Sequence, residues 1–107
     1  MSDTVPPGQA GKFQRTVEVV NKRGLHARAA AKFVKTAGGF DAAVRVSAER
    51  CMAASDGTSV SGRSIMGLMM LAAGPGSALC IQTDGRQAKE ALAALAALVE
   101  NRFDEEE

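Results

Sequence analysis

The chain has no Trp and no Tyr and only four Phe in 107 residues, so it lacks the flat aromatic platforms on which nucleobases stack. Its 13 Lys and Arg stand against 12 Asp and Glu, too even a balance to draw it broadly to nucleic acid. No apolar run is long enough to cross a bilayer. The segment from Met1 to Gly11, punctuated by Pro6, Pro7, Gly8 and Gly11, has neither the basic start nor the apolar stretch of a signal peptide. These absences predict a cytoplasmic protein with no nucleic-acid partner and no membrane insertion. Cys51 and Cys80 have no CxxC spacing, and with a single histidine a zinc site would need clustered carboxylates that the sequence does not show. No metal or other cofactor is expected, and both cysteines are expected as reduced thiols.

What the chain does have is a hydrophobic fraction of 46%, enough for one sheet-and-helix core and too short a length for two. The expected organisation is a flexible N-terminal extension over residues 1–11, one domain over 12–103, and an acidic tail over 104–107. A catalyst acting with so small a domain would have to be another protein. Phe13 to Val20 alternates as a strand, with Phe13, Val17 and Val19 on one face; Arg15 interrupts that face, so the strand is expected to start after it. Ala30, Phe33, Val34 and Ala37 repeat at helical spacing within Ala27 to Ala37, and Gly38 and Gly39 end that helix. With His26 as N-cap, Leu25 and Ala30 take the positions of a hydrophobic staple.

Phe40 to Ala48 alternates again, placing Phe40, Ala42, Val44, Val46 and Ala48 inward and Asp41, Arg45 and Ser47 outward. A polar connection from Glu49 to Gly57 leads to a short strand near Thr58 to Ser61, making a hairpin. Ser64 caps an apolar helix to about Leu71, and Gly74, Pro75 and Gly76 break it. A strand over Ala78 to Thr83 follows. Asp84 and Gln87 stand at capping-box spacing before a helix whose stripe is Ala88, Leu92, Leu95 and Val99, with Ala91 and Leu98 beside it. The order β-α-β-β-α-β-α is an α+β pattern, a mostly antiparallel four-stranded sheet with three amphipathic helices covering one face. Four acids at residues 104–107 oppose the dipole of the last helix, so a frayed tail is expected.

His26, the sole histidine, lies where an extended segment gives way to a helix, and Arg28 follows two residues on. A lone histidine beside an arginine is by default a surface or capping residue. At a helix start, however, its ring nitrogen is a nucleophile beside unbonded N–H groups of the first turn, here from Ala27 to Ala30, and the positive end of the dipole. Arg28 adds a forked donor for phosphate oxygens. The dipole and Arg28 together disfavour the imidazolium and favour a phosphate on the ring. A phosphoramidate is labile enough to be passed on, where a serine ester is not. Gly24 gives a tight turn before the helix.

The run Gly24, Leu25, His26, Ala27, Arg28 resembles the active-site signature of the HPr family, the histidine phosphocarriers of the bacterial phosphotransferase system. A second block, Ser64 to Leu71, resembles that family's regulatory-serine helix, and the likeness spans roughly Phe13 to Phe103. Ala29 stands where many members have proline, a modest loss of rigidity. The resemblance implies an open-faced β-sandwich. It further implies a phosphocarrier, not a stand-alone catalyst, that takes a phosphoryl group from enzyme I on the δ1 nitrogen of His26 and passes it to an enzyme IIA protein. It makes Arg28 the phosphate-stabilising residue and Ser64 the substrate of an HPr kinase/phosphatase, and it implies a monomer. Asn101 to Glu106 resembles the acidic end of the nitrogen-branch form, NPr, and leaves sugar transport and nitrogen regulation both open.

Ile65, Met66, Met69 and Met70 fall away from Leu68 and Leu71 at helical spacing, so a short helix on an open sandwich leaves them as an adaptable apolar patch. By resemblance this patch, with Ala27 and Ala31, docks partners. Lys22, Arg23, Arg28, Lys32 and Lys35 would favour acidic ones. A reading from another class is a non-catalytic HPr-like regulatory module switched by phosphorylation of Ser64. An RNA-binding sandwich is disfavoured by the missing sheet aromatics.

Overall fold

The protein is described by a computed structural model over residues 11–54 and 58–106. The elements are β1 Lys12–Glu18, α1 Ala27–Ala37, β2 Ala43–Ser47, β3 Val60–Ser61, α2 Ile65–Met70, β4 Ala78–Asp84 and α3 Ala88–Glu100, with short 3-10 turns at Cys51–Ala53 and Arg102–Asp104. The strands form one sheet in the order β1-β4-β2-β3, every pairing antiparallel. This is the expected α+β architecture, with β4 carried to the centre between β1 and β2. Residues 1–10, most of the expected N-terminal extension, and residues 55–57 and 107 lie outside the described residues.

Alternation in the strands sends Val17, Val44, Val46, Leu79 and Ile81 to one face, where they meet Ala30 and Phe33 of α1, Leu68 of α2, and Leu95, Ala96 and Val99 of α3 in a single buried cluster. Full burial of each large side chain stabilises by about 1.5–3 kcal/mol, so this layer holds the helices on the sheet. Leu25 and Ala30 both lie in the cluster, as a staple at the start of α1 requires.

Several local expectations are corrected by side chains that sequence periodicity does not register. β1 starts at Lys12, through Arg15, because the Arg15 guanidinium reaches the carboxylate of Glu100 at 2.8 Å at the end of α3 instead of entering the core. Val19 and Val20 lie past its end, although Val19 still exchanges backbone bonds with Gly76 and Ser77. β2 starts at Ala43, not Phe40, since the preceding backbone is engaged by side chains. Arg63 donates to the carbonyls of Phe40 and Ala42, and the amide of Asp41 donates to Gln87 Oε1. That last bond also replaces the expected capping box: Gln87 is the N-cap of α3 but makes no side-chain cap.

The sheet's other face carries the largest correction. Cys51 and Cys80 are joined in a disulfide and not reduced, their Cα atoms 4.7 Å apart. Thr16, Cys80 and Ser47 lie side by side in the ladder. The 3-10 turn closes over them, with the Cys51 amide donating to Thr16 Oγ1 at 2.9 Å. Cys80 and Ser47 are thereby fully buried, so Ser47, expected outward toward water, is under a stapled lid. A cross-link closing a loop of this length removes unfolded-state entropy worth about 3.6 kcal/mol.

Candidate functional site

The turn before α1 is built around Asn21 and Gly24. The buried Asn21 side chain donates to the carbonyl of Gly24 at 2.8 Å, and the Gly24 amide donates back to Asn21 O at 3.2 Å. Gly24 has φ +67°, and a Cβ there would stand 2.5 Å from the carbonyl oxygen of Ala73, so both conformation and space demand glycine. The Leu25 amide bonds that same carbonyl at 2.9 Å, docking the turn on the segment after α2.

His26 follows as the N-cap, its backbone extended at φ −80° and ψ 179°, while its side chain makes no cap. The ring is thus free of the helix it starts. The Ala30 amide is taken by the His26 carbonyl at 2.8 Å. The first-turn donors are therefore Ala27, Arg28 and Ala29, which have no carbonyl four residues back within the helix, and not the full run to Ala30 that the sequence implied. Arg28 is exposed and, among the described residues, has no hydrogen-bond or ion-pair partner. It lines a cleft of about 370 Å³ with His26, Arg23, Lys32, Asp104, Glu105 and Glu106.

The three acids there belong to the segment expected to fray. Instead Arg102, Phe103 and Asp104 turn through the left-handed region (φ 59°, 53° and 64°), a conformation that costs non-glycine residues roughly 1–2 kcal/mol each. Two anchors offset that cost. Phe103 is fully buried in the main core, and its carbonyl accepts from Lys32 Nζ of α1 at 2.8 Å. The turn delivers the Glu105 carboxylate to His26, where one oxygen meets Nε2 of the ring and the other accepts from Asn21 Nδ2 at 3.0 Å. Burial pushes the Glu105 carboxyl up. The hydrogen bonds from Asn21 and His26, with the charges of His26 and Arg23, outweigh it and hold the group below its ordinary value.

Of the residues singled out from sequence, His26 and Arg28 share this cleft. Ser64 sits at the N-cap of α2, its Oγ accepting from the Gly67 amide at 2.9 Å. Ile65, Met66, Met69 and Met70 are 40%, 72%, 42% and 79% exposed, while Leu68 is buried. Ala27 and Ala31 are exposed on α1, and α1 packs against α2. Lys22, Arg23 and Lys35 are exposed, whereas Lys32 is committed to the Phe103 carbonyl. Asn21 and Glu105 were missed. The signal for the second was Phe103, an isolated apolar residue in a charged run, which has a reason to be there only if the chain folds back. Among the described residues no group of His, Cys, Asp or Glu is placed to hold a metal, and no helix is long and apolar enough to cross a membrane.

Comparison with known proteins places this arrangement. Residues 13–101 match the family described as PTS HPr component phosphorylation site. Phosphocarrier protein HPr of Pseudomonas aeruginosa is 52% identical over 93 residues, covering 85% of this chain and 94% of that protein. HPr of Cupriavidus necator is 48% identical, covering 89% and 99%. Among solved structures, HPr-C-His from Thermoanaerobacter tengcongensis superposes with a TM-score of 0.76 at 38% identity, covering 89% of this chain and 99% of that one. The catabolite repression protein Crh of Bacillus subtilis, in a domain-swapped dimer, does so at 0.62 with 41% identity, covering 80% and 91%. A histidine opening the first helix of an open-faced sandwich, matched over nearly the whole domain by these proteins, makes the chain a member of the HPr family of phosphocarriers of the phosphotransferase system.

Proposed function

We propose that the chain receives one phosphoryl group from enzyme I on Nδ1 of His26 and passes it to an enzyme IIA protein, acting as a cytoplasmic monomer. The observation that carries this reading is the placement of His26 at the N-cap of α1 with its ring uncommitted to the cap, in one cleft with an Arg28 that has no partner among the described residues. In transfer the Nδ1 lone pair attacks phosphorus in line, the N–P bond forms as the donor's bond to phosphorus breaks, and the electron pair leaves with the donor. A loose transition state of this kind needs positioning and charge stabilisation, not covalent help. Arg28 and the dipole end of α1 supply the charge. The exposed α1 alanines Ala27 and Ala31 and the apolar residues Ile65, Met66, Met69 and Met70 form the docking face for both partners.

Incubation with enzyme I and phosphoenolpyruvate is expected to raise the intact mass by one phosphoryl group, lost in acid and retained in base. An unchanged mass, or an acid-stable adduct, removes the reading.

Ser64 is the proposed regulatory site, acted on by an HPr kinase/phosphatase. A phosphate there sits well at a helix N-terminus yet puts negative charge beside Ile65 and Met66 on the docking face. Ser64→Asp keeps an N-cap acceptor, whereas Ser64→Ala loses it at a cost of about 1 kcal/mol. The expected outcome is that Ser64→Asp melts near the wild type but slows phosphorylation of His26 by enzyme I, while Ser64→Ala melts lower and is phosphorylated normally. Equal rates for the two variants would leave Ser64 a cap alone. The likeness to Crh, whose name ties it to catabolite repression, supports the alternative of a non-catalytic regulatory module; wild-type protein that stays unphosphorylated in the mass experiment would select it.

A further inference from the structure

We infer that Glu105 is a positioning residue for phosphoryl transfer: its carboxylate accepts a hydrogen bond from Nε2–H of His26, which fixes the neutral imidazole in the tautomer whose unprotonated nitrogen is Nδ1. The inference rests on the phosphocarrier reading of His26.

A neutral imidazole carries one N–H, and a carboxylate can only accept. The proton therefore belongs on Nε2, and the nucleophilic lone pair on Nδ1. The contact is sheltered: the two side chains are only 17% and 18% exposed, so water screens it less than a surface pair. Its acceptor is itself held. Asn21, fully buried, grips the second Glu105 oxygen and the Gly24 carbonyl with one amide nitrogen, tying the carboxylate to the turn that presents His26. The Phe103 anchor and the Lys32 bond to its carbonyl hold the left-handed turn from which Glu105 projects.

During transfer the Nδ1 lone pair forms the N–P bond, the donor leaves with its electron pair, and the proton stays on Nε2. The ring then carries positive charge, which the adjacent carboxylate stabilises. When the phosphoryl group departs, that pair returns to Nδ1 and the same tautomer is restored for the next cycle. Glu105 need not leave for the phosphoryl group to arrive, because the two ring nitrogens lie on different edges. Arg23, Arg28 and Lys32 face the cleft from the turn and from α1, and Asp104 and Glu106 face it from the tail.

The test reads the ring directly. In the full chain, 15N chemical shifts of His26 at a pH where the imidazole is neutral are compared for the wild type, Glu105→Ala and Glu105→Gln, with phosphorylation rates by enzyme I and melting temperatures alongside. The wild type is expected to show Nε2–H almost alone. Glu105→Ala is expected to gain a measurable Nδ1–H population and to lose about tenfold in rate, the value of one charge-assisted hydrogen bond. Glu105→Gln retains an acceptor oxygen and is expected to keep the wild-type tautomer and most of the rate. Tautomer populations unchanged in Glu105→Ala would overturn the inference even if the rate fell, as would a changed population with an unchanged rate. The shifts are recorded on unphosphorylated protein without a donor, so this failure is separable from a failure of His26 to accept phosphate, which shows as an unchanged mass of the wild type.

Discussion

Replacing Arg28 with alanine is expected to slow phosphorylation of His26 about ten- to a thousandfold, the usual cost of removing one preorganised donor from a developing anionic charge. The side chain is exposed and unpaired among the described residues, so its removal breaks no interaction among them and the melting temperature should hardly move. Of the cations beside it in the cleft, Lys32 is already bonded to the Phe103 carbonyl. Arg28→Lys should recover only part of the rate, because an ammonium supplies charge without the guanidinium fork. Quenched-flow sampling with mass detection measures all three proteins, and wild-type kinetics in Arg28→Ala would leave the first-turn amides and the dipole as the only stabilising groups.

The periodic parts of the molecule were legible in the sequence. α1 spans the predicted Ala27 to Ala37, the serine helix shows the predicted buried Leu68 with methionines outside, and the β-α-β-β-α-β-α order stands. A pattern of period 2 or 3.6 reports which face meets a core, and nothing more. The misreadings share one cause, long-range partners. Arg15 belongs to β1 because Glu100 lies 85 residues away in sequence but at 2.8 Å in space. Ser47 is buried because a disulfide draws the 3-10 turn across it. Neither contact leaves a periodic trace.

The active turn divides in the same way. His26, Arg28 and Gly24 were singled out because they stand together in one short run that resembles the HPr signature. Asn21 and Glu105 were not, because they become a pair with His26 only when the last residues cross the start of α1. The acidic run was expected to fray as an unfavourable helix end, but burial of one phenyl ring outweighs a dipole effect worth only about 0.3–1 kcal/mol.

That same ring sets the second large effect. Phe103→Ala is expected to destabilise the protein by about 3 kcal/mol, near the lower end of what a buried phenylalanine costs. The reduction follows from the backbone: once the ring no longer holds the segment, residues 102–104 relax from their left-handed conformations and return some of the strain energy. The loss should be visible as a lower denaturant midpoint at an unchanged slope. Release of the segment has a local signature as well. The amides of Asp104 and Glu105, bonded to Asn101 O and Arg102 O at 3.0 and 2.9 Å, should lose their protection from hydrogen exchange, while those inside α3 keep theirs. Glu105 then leaves His26, so Phe103→Ala should reproduce the slowed transfer and mixed tautomers of Glu105→Ala, although it touches neither ring nor carboxylate. Phe103→Leu, which refills most of the volume, should restore both the midpoint and the rate. A Phe103→Ala protein of near wild-type stability with exchange protection intact would show that the segment is held by its polar contacts and not by the buried ring.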